Sequence, residues 1–127
     1  MQNQNATHVI FDVSFEHFPI ELESADFWKK LGKKALEKGN FSVMGGAMHK
    51  FDPAGMSGFW LLCESHLSFH TWPEERRVFI DLFSCGDENR TKKTIDELIR
   101  GFERINGVVE RRNDLKRGYV YESEELF

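Results

Sequence analysis

Cys63, Glu64, Ser65, His66, Ser68 and His70 fall within eight residues, and Cys85 follows fifteen positions after His70. Thiol, carboxylate, hydroxyl and imidazole groups this close could bind a metal, run a hydrolytic triad or rearrange a peptide bond. Zinc would take Cys63, His66, His70 and Cys85. Structural zinc sites usually draw thiols from tight C-x-x-C turns, whereas these cysteines lie 22 positions apart. Within a regular strand Glu64, His66, Ser68 and His70 share one face while Cys63 and Ser65 take the other, so the four ligands cannot converge without a break. No metal is expected. A Ser-His-acid triad is weakly signalled, because the nucleophile-elbow pattern G-x-S-x-G is absent.

Peptide-bond rearrangement is the more specific chemistry. A serine hydroxyl can attack the carbonyl that precedes it, converting amide to ester; β-elimination then cuts the chain and leaves a pyruvoyl group at the new amino terminus. Such a carbonyl captures the α-amine of an amino acid as an imine and holds the electrons released when carbon dioxide leaves. The sequence of steps needs a hydroxyl that stabilises the intermediate, a base for the elimination, and an acid that returns a proton to the α-carbon. Ser57, His70 and Cys85 are available for these tasks.

The elements that must position these groups follow from pattern. Thr7 to Phe15 is β-branched and aromatic with near alternation, a first strand. Ser24 stands where an N-cap would, and Phe27, Trp28, Leu31, Ala35 and Leu36 recur at helical spacing up to Gly39-Asn40. Phe41 to Phe51 reads as a strand with a weak spot or bulge at Gly45-Gly46, and Asp52-Pro53-Ala54-Gly55 is turn chemistry. Phe59 to Leu62, Leu67 to Trp72 and Val78 to Ser84 are strand-like. Thr91 could cap a second helix carrying Ile95, Leu98, Ile99, Phe102 and Ile105 on one face, and Val108 to Arg111 adds a short last strand. The charged tail beyond it is expected to be partly mobile. Ser65 and His70 have opposite parity, so processing requires a turn, bulge or chain end near Ser65.

The order β-α-β-β-β-β-α-β predicts one α+β domain over 1–127: a two-layer sandwich with a largely antiparallel sheet and two helices on one face. The other sheet face must be solvated or covered by a partner, and the aromatic richness of strands such as FWLL and VFIDLF favours a homo-oligomer. Net charge is −4 with no basic stripe, which speaks against nucleic acid. No apolar run approaches the roughly 20 residues of a membrane span, and the start MQNQNATH lacks a signal-peptide layout. A cytoplasmic location and no membrane partner are expected.

The segment GMSGFWLLCESHLSFHTWPE, followed by IDLFSCGD, resembles prokaryotic S-adenosylmethionine decarboxylase, the pyruvoyl enzyme of polyamine synthesis. The likeness runs from about His8 through the second helix. It implies self-cleavage at Glu64-Ser65, giving a β chain 1–64 and an α chain 65–127, with Ser65 as precursor of the pyruvoyl group that forms a Schiff base. It further implies Ser57 and His70 as the processing hydroxyl and base, Cys85 as proton donor, Phe51 as the ring that stacks on adenine, and Glu74 as a ribose contact. Asp12, where relatives usually carry Glu, and Trp72 complete the substrate-binding candidates. Family members pair as dimers of cleaved protomers.

After HTWPE the family's small, Tyr- and Gly-containing stretch is replaced by Glu75-Arg76-Arg77-Val78-Phe79. Two alternatives follow: a pyruvoyl-dependent arginine or ornithine decarboxylase, and a non-catalytic binding or regulatory relative. Without the resemblance the same residues read more plainly. Ser65 would be a strand-end serine, His66 a satisfied structural histidine, Cys85 a small buried residue, and Phe51 and Trp72 core. Asp12 and Glu74 would be exposed carboxylates.

Overall fold

The structure, a computed structural model, describes residues 5–118. Strand β1 (Ala6–Ser14) leads through a 3₁₀ turn at Ile20–Glu23 into helix α1 (Ala25–Lys38). Strands β2 (Val43–Lys50), β3 (Met56–Leu62) and β4 (Ser65–Trp72) follow, then a 3₁₀ turn at Pro73–Glu75 and β5 (Arg77–Cys85). Helix α2 (Glu88–Glu103) and β6 (Val108–Arg117) complete the chain. All six strands form one sheet in the order β2-β3-β4-β5-β1-β6, and each neighbouring pair is antiparallel.

Alternation fixes which face each strand presents. Val9, Phe11 and Val13 of β1, Leu67 and Phe69 of β4, and Val78, Ile80 and Leu82 of β5 are all buried on one side. Both helices cover that side with residues three and four apart: Trp28, Leu31, Ala35 and Leu36 from α1, and Ile95, Leu98 and Phe102 from α2. Trp28 is the hub. Its ring stacks on Phe69 at 3.8 Å between centroids and 5° between planes, and its Nε1 donates to the Leu22 carbonyl at 3.0 Å. Gly101 lets the helices approach, because a Cβ there would run into the Leu31 side chain. The α+β sandwich with both helices on one face is therefore as expected.

Boundaries differ where apolar pattern is thin. Strand β3 starts at Met56 and β4 at Ser65, earlier than Phe59 and Leu67, because ladder pairing continues through Ser57↔His70 and Leu62↔Ser65 without needing apolar side chains. The register shift expected near Gly45 is present between Val43 and Gly45. Thr91 does not cap α2. Gly86 turns the chain with φ +93, and the Asp87 carboxylate accepts from Asn89 N–H at 2.8 Å, so the helix begins one turn sooner. Thr91 is buried within it and donates to Ser84 Oγ at 2.9 Å. Ser24 does occupy the N-cap of α1, though without a side-chain capping bond. Residues 112–117, assigned to the tail from sequence, extend β6 along β1 as far as Ala6↔Arg117. The rest of that tail, 119–127, lies outside the described residues.

Candidate active site

Among the described residues no helix covers the second sheet face. It carries His8, Ile10 and Asp12 from β1, His66, Ser68 and His70 from β4, and Asp81 and Phe83 from β5, with Phe59 and Leu61 of β3 43% and 50% exposed. The residues singled out by sequence fall into two groups at opposite ends of these strands.

The first group lies at the β3–β4 hairpin. Leu62 pairs with Ser65, so Cys63 and Glu64 form the tip, and Glu64 has φ +61. A left-handed conformation costs a non-glycine residue about 1–2 kcal/mol. That strain sits on the residue whose carbonyl Ser65 would attack. The Glu64 carbonyl oxygen accepts from Cys85 Sγ at 3.3 Å, and Ser65 Oγ accepts from the Cys85 N–H at 3.2 Å. Ser65 is buried, on the helix side of the sheet. A Glu-Ser bond in a strained turn, its carbonyl facing a thiol, fits the donor set that pyruvoyl formation requires.

The second group lies at the far end of the same strands. Ser57 Oγ and His70 Nδ1 are 2.7 Å apart. Cross-strand register places them in one row with His49, Phe79 and Asp12. A cavity of about 500 Å³ opens over this pair, lined by His49, Phe59 and Ser68 among others. Trp72, 51% exposed, meets Phe79 edge-on at 5.9 Å, and Phe51, 47% exposed, packs against His49 at 4.6 Å. Neither is core, contrary to the reading from aromatic count. Glu74 is exposed in the 3₁₀ turn after Trp72, and Asp12 is partly buried opposite Phe79. The turn demanded by parity exists, at Cys63-Glu64. It does not bring Ser65 to His70, because five residues of strand separate them by about 17 Å.

The hypothetical zinc ligands do not meet either: His66 and His70 are four positions apart along β4, with Cys63 at the hairpin tip. Sequence reasoning missed a different cluster. The Asp81 carboxylate joins His8 Nε2, His66 Nε2 at 3.0 Å and Ser68 Oγ at 3.1 Å. His8 Nδ1 accepts from Arg117 Nη1 at 2.8 Å, which puts the His8 proton on Nε2, directed at Asp81. This is a hydrogen-bonded network, since a metal on Nε2 would turn a ring N–H toward a guanidinium that cannot accept it. Burial pushes the Asp81 carboxyl up, but the hydrogen bonds from His66 and His8 outweigh it and hold the group below its ordinary value. The signal available in sequence was a lone carboxylate inside the apolar run VFIDLF.

Fold and geometry define a class: a single-sheet α+β protein whose reactive groups are carried by an open sheet face and the hairpin tip beside it. Comparison with known proteins narrows the class. A family model described as S-adenosylmethionine decarboxylase matches residues 7–113. The S-adenosylmethionine decarboxylase proenzyme of Pyrococcus abyssi is 32% identical over 109 residues, covering 86% of this chain and 76% of that protein. The proenzyme of the same name from Thermodesulfovibrio yellowstonii is 30% identical over 120 residues, covering 94% and 85%. The crystal structure of the adenosylmethionine decarboxylase from Aquifex aeolicus superimposes with TM-score 0.77 at 23% identity, over 97% of this chain and 98% of that one, which shows a shared fold. The chain belongs to the S-adenosylmethionine decarboxylase family.

Proposed function

We propose that this chain is a proenzyme that cuts itself between Glu64 and Ser65 and, once cut, decarboxylates S-adenosylmethionine, supplying the aminopropyl donor for polyamine synthesis. The observation that carries the reading is the contact of the Glu64 carbonyl with Cys85 at 3.3 Å in a left-handed turn immediately before a buried serine. Ser65 Oγ attacks the Glu64 carbonyl carbon, and the thiol of Cys85 stabilises charge growing on its oxygen. The C–N bond breaks to give an ester. Removal of the Ser65 α-proton by a base then expels Oγ with the Glu64 carboxylate. Tautomerisation and addition of water release ammonia and leave a pyruvoyl group on residue 65. That group supplies an electrophilic carbonyl for the substrate's amine. Cys85 stands beside residue 65 to return a proton to the α-carbon.

Ser57 and His70 cannot serve Ser65 of their own chain across about 17 Å of strand. We therefore assign them to the site of a second copy. Two open faces packed about a two-fold axis that crosses the strands would set the hairpin end of each copy against the Ser57–His70 end of the other. Exposed Ile10, Phe59, Leu61 and Leu115 on that face support a covered interface. Phe51, Trp72, Glu74 and Asp12 lie at the same end and would then line the substrate pocket opposite Ser65.

The relatives reported above are named for S-adenosylmethionine, and Arg77, one residue of the Glu75-to-Phe79 stretch that together with Asp12 raised basic amino acids as substrates, is already paired with Glu110 at 2.5 Å. Free thiols at Cys63 and Cys85 support a cytoplasmic setting, and no helix among the described residues is long and apolar enough to cross a membrane. Intact-mass analysis tests the cleavage: wild-type protein should yield two fragments, and Ser65→Ala should stay whole. Carbon dioxide release from S-adenosylmethionine, arginine and ornithine tests the substrate. Turnover of a basic amino acid alone would replace the proposed one.

A further inference from the structure

Two contacts hold the Glu64-Ser65 segment against Cys85 in the intact chain, and both depend on atoms that the proposed cleavage removes. Ser65 Oγ, which accepts from Cys85 N–H, departs with the Glu64 carboxylate. The Glu64 carbonyl, which accepts from Cys85 Sγ, ends on the other fragment. The covalent hairpin joining β3 to β4 is cut in the same event. Residue 65 becomes the first residue of a strand, a position that ordinarily frays.

The first side chain beyond it is His66. Its Nε2 lies 3.0 Å from Asp81 Oδ2, and its ring stacks on Phe83 at 5.8 Å with 13° between planes. Asp81 and Phe83 belong to β5, the strand that ends in Cys85. Asp81 is itself fixed from two more sides, by His8 of β1 and Ser68 of β4, and His8 is held by Arg117 of β6. None of these groups is consumed by cleavage.

We propose that Asp81 is a positioning residue: by anchoring His66 to β5 it keeps residue 65 beside Cys85 after the hairpin is cut. This rests on the self-cleavage reading. Backbone pairing of His66 with Leu61 and Phe83 survives the cut; the anchor adds to it and matters more once the hairpin is gone, which separates a positioning role from a general contribution to stability.

The test compares cut and uncut protein. Asp81→Ala and His66→Phe, the latter able to keep the stack on Phe83, are each made in the wild-type chain and in the Ser65→Ala proenzyme. Both variants should still cut themselves, by intact mass. Amide hydrogen exchange over residues 66–68 should rise about tenfold or more in the cut variants and by less than about threefold in the uncut ones. In the cut variants kcat should fall about tenfold or more with KM nearly unchanged. Should Asp81→Ala fail to fold, His66→Phe decides. Equal increases in exchange in cut and uncut chains, or unchanged exchange and kcat, overturn the proposal. A wild-type chain that is never cut overturns the reading beneath it.

Discussion

Ser57 Oγ and His70 Nδ1 face each other at 2.7 Å across the β3–β4 ladder, on the open side of the sheet. Among the described residues of one chain, the proposed scissile bond lies about 17 Å of strand away from this pair.

A shared site makes a complementation prediction. Ser65→Ala and His70→Ala chains should each stay uncut when expressed alone. Co-expressed with different tags, they should form the proposed mixed dimers, each with one complete site built from Ser65 of the His70→Ala chain and His70 of the other. About half of the His70→Ala chains should then be cut, as random two-fold pairing requires. The Ser65→Ala chains should remain whole. Absence of any cleavage in the mixture would return both groups to one chain.

In the proposed mechanism Cys85 serves two steps to unequal degrees. Cys85→Ala removes a weak S–H donor from the Glu64 carbonyl, so self-cleavage should slow yet still finish. Loss of the proton donor should lower decarboxylation of the cut enzyme by about 10²–10⁴-fold. Timed intact-mass spectra and carbon dioxide release measure the two effects separately.

Glu97 links acidity to stability. Its side chain is 2% exposed and faces Lys34 at 3.4 Å, Arg100 at 3.3 Å and Arg104 at 3.7 Å. Burial pushes its carboxyl up, while hydrogen bonds and charge from Lys34 and Arg100 outweigh that and hold it below the ordinary value. A carboxyl depressed on folding stabilises the fold above its unfolded pKa, and that contribution is lost as pH falls through the folded pKa. Glu97→Gln should cost about 1–2 kcal/mol at pH 7, modest because the three cations are half exposed. The difference from wild type should shrink as pH drops below the ordinary carboxylate range. Urea unfolding across pH 3–7 would check it, with a pH-independent difference counting against the cluster.

Legibility in the sequence followed hydrophobic contrast. Trp28, Leu31, Ala35 and Leu36, or Val78, Ile80 and Leu82, alternate between buried and wet positions and so declare both element and face. Strand β6 shows little such contrast, because most of its residues are exposed, so pattern reveals only its beginning. The start of α2 is ambiguous from pattern because Asp87 and Thr91 are both good caps and only Gly86's turn chooses between them. At the site, motif spacing identified residues but not their distances. Parity correctly set Ser65 and His70 on opposite faces, and pairing register then set them at opposite ends. His8 and Asp81 escaped notice because a polar residue facing outward from a strand looks the same whether it meets solvent or a partner from the next strand.

The strand order has a bearing on what becomes of the two pieces. With a break after residue 64, the pieces are interleaved: β1 of the amino-terminal piece runs between β5 and β6 of the other, while β3, with β2 outside it, adjoins β4. Parting them means unzipping three ladders together, so the nicked molecule should hold as a single body. Neither piece alone could restore the weave, since each lacks strands that lie between its own. Folding of the uncut chain keeps every strand of that weave tethered, whereas a nicked molecule once fully unfolded must bring two separate pieces together, so its refolding should depend on concentration.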